Sequence, residues 1–306
     1  MHVLVTGATG FIGLHLCEAL LTKGFKVSGI SRSVKSIPTS HVSQLKELDM
    51  YHCDISNEKE LVNVISDLGA IDGIFHLAGR TYMRDSPGAN VYFQNNFLGT
   101  LNVLECCRVF GIKKLIYSSS YAVYGLGFGQ NEPKYLPVDE MHVVSPYDFY
   151  DASKLHAEKL CQFYHERYGI IIPILRYSKI YGPGLEEGVV FELIRKALSN
   201  LPIEVLGDIS TDFVFISDIV NANLASFEKA SKFEVYNIGS GQECTLYELC
   251  SEIRKITKSK SEQSYSKTRS ARFSLDISKA KSELNYDPVT LEEGLIKYVE
   301  YIRKYS

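Results

Sequence analysis

A glycine-rich turn near the start of the chain constrains the fold more than any other feature of the sequence. The apolar run His2–Thr6 predicts a strand, the segment Gly7-Ala8-Thr9-Gly10-Phe11-Ile12-Gly13 follows it, and Phe11–Lys23 predicts a helix. The first glycine permits a tight turn, the second lets a ligand approach the backbone, and the third lets the helix pack against a sheet. This context predicts a pyrophosphate site, in which N–H groups and the positive end of the helix dipole face the phosphates.

Strand and helix patterns alternate through the first half of the chain. Further strands are predicted at Lys26–Ile30, Asp49–Asp54, Gly73–Leu77, Lys114–Ser118 and Ile170–Leu175, and further helices at Asn57–Asp67, within Pro87–Phe110 and at Tyr147–Tyr168. Strands that alternate with helices indicate a parallel sheet that is covered on both faces. Right-handed crossovers then give a doubly wound, Rossmann-type α/β fold.

The pattern loosens after Arg176, where a smaller lobe is expected to begin. A helix is predicted at Val189–Leu198, strands at Ile203–Leu206 and Phe213–Ile216, and a polar, basic loop at Lys258–Arg272. We expect residues 1–176 to form an NAD(P)-binding Rossmann domain, to which residues 213–240 return. Residues 177–212 and 241–306 are then expected to form a C-terminal substrate-binding lobe.

Charge and cysteine content argue against several classes of protein. The 33 basic and 36 acidic residues are interspersed and give a formal net charge of −3, so no basic stripe suggests a nucleic-acid partner. The seven cysteines show no Cys-x-x-Cys spacing, and we expect reduced core thiols and no metal site. The sequence shows no secretory signal and no apolar run of membrane-spanning length, so we expect a cytoplasmic protein without a membrane partner.

Residues at the ends of the next strands are expected to bind the rest of a dinucleotide. The second strand ends in Ser31-Arg32 rather than in an acid, and a guanidinium beside a hydroxyl suits a 2′-phosphate. NADP(H) is therefore favoured, and NAD(H) is the alternative. Asp54, which precedes Ile55, can accept from the adenine amine, and Leu77-Ala78-Gly79 ends the next strand where the cofactor passes. The expected cofactor site is completed by Gly7, Thr9, Gly10, Phe11, Ile12 and Ser118.

A tyrosine and a lysine are expected to carry the chemistry. Tyr150 and Lys154 are four residues apart on a predicted helix, so they share a face. A nearby ammonium favours the phenolate and is expected to lower the pKa of Tyr150 toward neutrality. Tyr150 can then exchange a proton with a substrate hydroxyl while a hydride moves to or from nicotinamide, and Lys154 could bond the nicotinamide ribose. Ser120, at a strand end about thirty residues earlier, can hold and polarise the substrate oxygen.

Motifs along nearly the whole chain resemble those of the extended short-chain dehydrogenase/reductase family, which contains nucleotide-sugar epimerases, dehydratases and ketoreductases. The matching segments are Thr6-Gly7-Ala8-Thr9-Gly10-Phe11-Ile12-Gly13, Cys53-Asp54-Ile55, His76-Leu77-Ala78-Gly79, Asn96-Phe97-Leu98-Gly99-Thr100, Ser118-Ser119-Ser120-Tyr121-Ala122-Val123-Tyr124-Gly125, Tyr150-Asp151-Ala152-Ser153-Lys154-Leu155, Tyr181-Gly182-Pro183 and Tyr236-Asn237-Ile238-Gly239-Ser240-Gly241.

The resemblance implies a catalytic trio, a substrate class and an oligomeric state. The trio is Ser120, Tyr150 and Lys154, and the substrate is a sugar nucleotide held by the C-terminal lobe. The two long helices, Pro87–Phe110 and Tyr147–Tyr168, would join two copies of the chain as a four-helix bundle. The substrate contacts that we expect on this basis are Arg80, Ser120, Tyr121, Lys179, Arg269 and Arg272.

Three departures from the family pattern bear on the reaction. Lys179 stands where the family often has Asn, and Thr211 stands before Asp-Phe-Val where the family often has Arg. A diphosphate-binding cation is thus missing at position 211, and Arg269 and Arg272 are the candidates to replace it. The family's 4,6-dehydratases usually carry Asp-Glu after the catalytic hydroxyl residue, whereas Tyr121-Ala122 follows Ser120, which argues against a dehydratase.

Three reactions remain open at this point. Because Arg32 favours NADPH, we predict the reduction of a 4-keto sugar nucleotide, with Tyr150 as the acid/base. The alternative is a 4-epimerase that holds NAD tightly and shows no net redox change, which the Ser-Ser-Ser-x-x-Val-Tyr-Gly pattern favours. A third possibility is a reductase of a ketone or alcohol that carries no nucleotide, which Thr211 leaves open.

Overall fold

The computed structural model describes residues 1–33, 45–81, 88–126 and 132–305, without the side chains of residues 46, 206, 207 and 267–270. The strands in these ranges are β1 (His2–Thr6), β2 (Lys26–Ser31), β3 (Asp49–His52), β4 (Gly73–His76), β5 (Leu115–Ser120), β6 (Pro173–Tyr177), β7 (Lys179–Tyr181), β8 (Ile203–Thr211), β9 (Phe213–Phe215), β10 (Glu234–Ile238), β11 (Cys244–Thr245) and β12 (Gln263–Ala271). The α-helices are α1 (Phe11–Thr22), α2 (Glu58–Leu68), α3 (Ala89–Tyr92), α4 (Gly99–Phe110), α5 (Phe149–Tyr168), α6 (Val189–Leu198), α7 (Ile216–Lys229), α8 (Leu246–Thr257), α9 (Ser278–Leu284) and α10 (Leu291–Tyr305).

A seven-stranded parallel sheet in the order β10-β6-β5-β4-β1-β2-β3 organises the described chain and confirms the predicted Rossmann-type α/β class. Thr6, the last residue of β1, lies opposite Ile30 of β2 and His76 of β4. The order of strands reverses between β1 and β4. In sheets of this kind, ligands bind beyond the carboxyl ends of the strands at such a reversal.

The burial of the central strands explains why apolar runs in the sequence predicted them. Val3, Leu4 and Val5 of β1 are wholly buried, and all six residues of β5 are buried. Each large apolar side chain that is removed from water contributes about 2 kcal/mol to the free energy of folding. Helix α2 is amphipathic and buries Leu61 and Ile65.

Capping residues set the ends of the long helix α5. The Asp148 carboxylate accepts the N–H of Asp151 at 2.9 Å, so the helix begins at Phe149 rather than at the predicted Tyr147. Gly169, with a φ of 67°, ends the helix after Tyr168, as predicted. No helix within the described ranges is both long and apolar enough to cross a bilayer.

The chain forms two compact units. The first unit comprises Met1–Gly125, Val143–Arg176 and Val220–Tyr236, and the second comprises Leu126–His142, Tyr177–Ile219 and Asn237–Ser306. Within the second unit, β8 lies between β11 and β12, and β7 pairs with β9.

The prediction of a loop at Lys258–Arg272 is wrong for most of that segment. Strand β12 covers Gln263–Ala271 and pairs in parallel with β8, which itself runs five residues beyond its predicted end at Leu206. The sequence of β12 has no apolar face, because this strand lies at the edge of its sheet and is held by backbone hydrogen bonds. The polar composition of β12 is the reason that the sequence predicted a loop there.

We expect Gly13→Ser to destabilise the protein by about 3 kcal/mol, because a side chain there cannot be accommodated without moving the glycine turn. A Cβ at Gly13 would lie 2.2 Å from the Gly7 carbonyl oxygen and 2.9 Å from the Ala8 backbone. Urea denaturation followed by circular dichroism measures the change. Gly88→Ser is the matched control, since a Cβ there meets no described atom within 4 Å and Ser also caps helices well. Equal stability of the two variants would contradict the close packing of the turn.

Candidate active site

The glycine turn forms a narrow cradle between β1 and α1. Gly7 has a φ of 72°, and its N–H donates to the Ile30 carbonyl at 2.9 Å. A Cβ at Gly7 would lie 2.8 Å from the Ala78 nitrogen, so the turn packs directly against the exit of β4. Gly10 carries no side chain to cap α1, which leaves the N–H groups of the first helical turn suited to an anion. A cradle that any Cβ would fill fits a dinucleotide pyrophosphate.

The predicted adenosine site contains two side-chain hydroxyls and an arginine that already has protein partners. The Thr9 and Ser31 hydroxyls hydrogen-bond each other at 2.6 Å. The Arg32 guanidinium donates to Asn95 Oδ1 at 3.0 Å and lies 4.0 Å from Asp54 Oδ2. Arg32 therefore already has an amide and a carboxylate as partners, which weakens the prediction that it binds a 2′-phosphate.

Asp54 and Ile55 follow β3 in different environments. Burial raises the pKa of Asp54, but hydrogen bonds from the Ser56 N–H and hydroxyl and the charge of Arg32 lower it overall. The carboxylate is thus ionised at neutral pH and able to accept a hydrogen bond. Ile55 is buried and packs where a Cβ on Gly99 would meet it at 2.6 Å. Its side chain is therefore part of the core.

A buried histidine fixes the exit of β4. Thr6 Oγ1 and His76 Nδ1 are 2.7 Å apart, and His76 Nε2 lies 3.0 Å from Thr100 Oγ1. Burial lowers the pKa of His76 to about 3, so the ring is neutral. The Ala78 N–H donates to Thr6 Oγ1 at 3.1 Å. These bonds hold the predicted cofactor segment Leu77-Ala78-Gly79 against β1.

Lys154 is anchored on the serine-rich end of β5. Its Nζ donates to the Ser118 carbonyl at 2.8 Å and lies 5.3 Å from the centre of the Tyr117 ring. A Cβ on Gly79 would lie 3.5 Å from this ammonium, so the lysine reaches the exit of β4. Burial lowers the pKa of Lys154 to about 8, and the Glu158 carboxylate opposes this shift.

Tyr150 lies near Ser120, and the direction predicted for the pKa of Tyr150 is wrong. Burial raises the pKa of Tyr150 to about 12, the Ser120 hydrogen bond lowers it, and Asp151 and Asp148 raise it again. The sequence could not show this burial. The ring of Tyr92 also packs 6.1 Å from that of Tyr150, edge to face.

Asn96, for which no role was predicted, links the segment after β4 to helix α5. Asn96 Nδ2 donates to the Arg80 carbonyl at 3.0 Å and to Ser153 Oγ at 2.9 Å, and Asn96 Oδ1 accepts the Arg80 N–H at 2.7 Å. Asn96 lies in a π-helical turn, Phe93–Leu98, between α3 and α4. Such turns concentrate at functional sites, but spacing in the sequence does not reveal them.

The remaining predicted substrate residues are divided between the two units. Tyr121 follows Ser120 in the first unit and is buried. Lys179 begins β7 in the second unit, where burial lowers its pKa. Arg272, also in the second unit, donates to both Glu243 carboxylate oxygens at 2.7 Å. The side chain of Arg269 lies outside the described part of the chain.

Comparison with known proteins identifies the family of this chain. The model of the NAD dependent epimerase/dehydratase family matches residues 3–239. A UDP-glucuronate 4-epimerase of Thermodesulfobacterium geofontis is 32% identical over 99% of this chain and 96% of its own length. A putative UDP-glucose 4-epimerase of Methanocaldococcus jannaschii is 34% identical over 98% of both chains.

Solved structures agree over the whole length. The UDP-glucose 4-epimerase of Thermotoga maritima, solved with UDP-glucose, has a TM-score of 0.88 at 31% identity and covers 99% of both chains. The UDP-glucuronic acid 4-epimerase of Bacillus cereus, solved with UDP-glucuronic acid and NAD, has a TM-score of 0.85 at 31% identity and covers 100% of both chains. The chain therefore belongs to the NAD dependent epimerase/dehydratase family, within the extended short-chain dehydrogenases/reductases, and is an NAD(P)-dependent enzyme.

Proposed function

We propose that this protein is a nucleotide-sugar 4-epimerase that retains NAD. One observation carries the proposal: Ser120, Tyr150 and Lys154 meet beside the glycine cradle in a chain whose full-length relatives include UDP-sugar 4-epimerases. The relatives favour this alternative over the reductase that Arg32 suggested.

The proposed reaction uses each member of the trio once in each direction. When bound, NAD supplies a hydride acceptor and donor, together with a positive charge that favours the Tyr150 phenolate. Tyr150 takes the proton of the C4 hydroxyl as that carbon is oxidised, and returns it when the other face of the keto sugar is reduced. Ser120 donates to the same oxygen and polarises it. Lys154 lies one helical turn from Tyr150 on the same face of α5, and its positive charge favours the phenolate over the phenol.

The environment of Arg32 supports NAD as the cofactor. A 2′-phosphate at the end of β2 would have to compete with Asn95 for the guanidinium and would lie near the Asp54 carboxylate. Like charges at such a distance repel each other. The hydroxyls of Thr9 and Ser31 can instead bond an unmodified ribose.

We expect the purified protein to carry NAD and to convert a UDP-hexose or UDP-hexuronic acid into its C4 epimer without added cofactor. Native mass spectrometry identifies the retained nucleotide, and NMR of the sugar identifies the product. Retained NADP, or consumption of NADPH on a 4-keto sugar nucleotide, would instead support the reductase. Activity only on a ketone or alcohol without a nucleotide would support the third reaction.

Tyr150→Phe is expected to lower kcat by about 10³-fold with little change in KM, because only proton transfer is lost. The matched control is Tyr147→Phe, which removes a phenol hydroxyl from an exposed ring three residues earlier and is expected to keep wild-type kcat. Initial rates under saturating UDP-sugar measure both variants. Turnover by Tyr150→Phe at the rate of the control would contradict the assignment of Tyr150.

We also propose that two copies of the chain join through α4 and α5. These helices expose large apolar side chains at Val109, Phe110, Phe163 and Tyr168. Exposed apolar side chains on neighbouring elements mark interaction surfaces, and a second copy is the occupant that the family resemblance implies.

Phe163→Glu is expected to shift the protein from dimer to monomer, because it puts a charge in the apolar patch. Size-exclusion chromatography with light scattering measures the mass at several concentrations. Tyr247→Glu, at a similarly exposed position on α8, serves as the control and is expected to leave the dimer intact. A monomeric wild-type protein, or a dimeric Phe163→Glu variant, would contradict this interface.

A further inference from the structure

Three residues of α5, spaced by one helical turn, face three consecutive serines at the end of β5. Tyr150, Lys154 and Glu158 lie four residues apart and therefore on one face of the helix. Lys154 donates to the carbonyl of the first serine, Ser118, at 2.8 Å, and interaction with the last serine, Ser120, lowers the pKa of Tyr150. Glu158 accepts the hydroxyl of the middle serine, Ser119, at 2.5 Å. Glu158 thus continues a series whose other two members, Tyr150 and Lys154, belong to the proposed reaction.

A buried arginine completes the surroundings of Glu158. Arg176, on the neighbouring strand β6, donates to the two Glu158 oxygens at 3.0 and 2.7 Å. Its third nitrogen donates to the Tyr124 hydroxyl at 2.9 Å, and the guanidinium lies 4.9 Å from the centre of that ring. Both charged side chains are less than a tenth exposed. A fully buried ion pair loses so much hydration that stability alone explains it poorly.

The placement of Glu158 also affects the charge of Lys154. The groups that face or influence the lysine ammonium are Glu158 and Cys161 on α5, His76 on β4 and the ring of Tyr117 on β5. His76 is neutral, and burial raises the pKa of Cys161, so its thiol is neutral too. Arg176 lies beyond Glu158 and cancels part of its field. Glu158, which is paired with Arg176, is therefore the acidic side chain among these groups that raises the pKa of the buried lysine.

We propose that Glu158 is a positioning residue for the epimerase reaction, holding the Lys154 ammonium and the serines of β5 in their working arrangement with Arg176 as its buried counter-ion. The proposal rests on the function proposed above. Glu158 itself contacts neither substrate nor cofactor in this mechanism, because it acts through Lys154 and Ser119. Loss of its charge leaves burial to act on Lys154, so the pKa of the lysine falls from about 8 toward neutrality.

The titration of Lys154 tests the proposal on the purified protein without substrate or turnover. Protein labelled with [¹³C]lysine is titrated by NMR, and the Lys154 resonance is assigned with Lys154→Arg. We expect Glu158→Gln to lower the titration midpoint by on the order of one pH unit. Glu158→Asp keeps the charge and is expected to stay close to wild type. Glu252→Gln, which breaks an exposed ion pair with Lys255, is the control and is expected to change nothing. An unchanged midpoint in Glu158→Gln would overturn the proposal.

Turnover provides the second readout. In Glu158→Gln, the alkaline limb of the kcat profile is expected to move to lower pH together with the NMR midpoint, while KM stays within about twofold. A purely structural role would lower kcat equally at every pH, and that result would overturn the proposal. If the wild type has no epimerase activity, the proposed function fails, whereas the NMR titration still decides the role of Glu158.

Two further variants keep the proposal testable if Glu158→Gln does not fold. Glu158→Gln/Arg176→Met removes both charges of the buried pair, and it is expected to lower the Lys154 midpoint, but less than Glu158→Gln does, because the opposing charge of Arg176 is lost as well. Ser119→Ala leaves both charges in place and breaks only the bond to β5. It is expected to lower kcat about tenfold without moving the alkaline limb. Wild-type kcat in folded Ser119→Ala would overturn the positioning role.

Discussion

The hydrogen bond from Lys154 to the Ser118 carbonyl is the constraint on which the rest of the site depends. It ties the middle of α5 to the end of β5 at 2.8 Å and leaves the ammonium beneath the exit of β4. The same helix face then brings Tyr150 to Ser120 and Glu158 to Ser119. Together with the bond from Ser119 to Glu158, this anchor fixes the register of α5 against β5, and with it the arrangement that the proposed reaction needs.

Features with a local physical cause could be predicted from the sequence. The glycine turn needs residues without a Cβ at fixed positions, since a Cβ would lie 2.8 Å from a backbone atom at Gly7 and 2.2 Å from one at Gly13. The buried strands were visible because apolar runs alternate with helices. Tyr150 and Lys154 share a helix face by spacing alone.

Features that depend on distant contacts could not be predicted. Strand β12 is polar because it is an edge strand, so its composition resembled that of a loop. Arg32 is paired with Asn95, which lies 63 residues away in the chain. The π-helical turn that presents Asn96 and the burial that raises the pKa of Tyr150 arise from packing between elements. In each case the missing information was a contact with residues that are distant in the sequence.

The choice between reductase and epimerase shows the same limit. A single arginine after β2 suggested NADPH, yet its function depends on which groups already bond to it. The central claim is therefore that the hydride leaves C4 of the sugar for NAD and returns to the other face of the same carbon on one enzyme. The most direct test uses UDP-glucose and UDP-glucuronic acid that carry deuterium at C4, with the product analysed by NMR. Full retention of deuterium at C4 of the epimer is expected, whereas loss of the label to solvent or to free nucleotide would contradict the account.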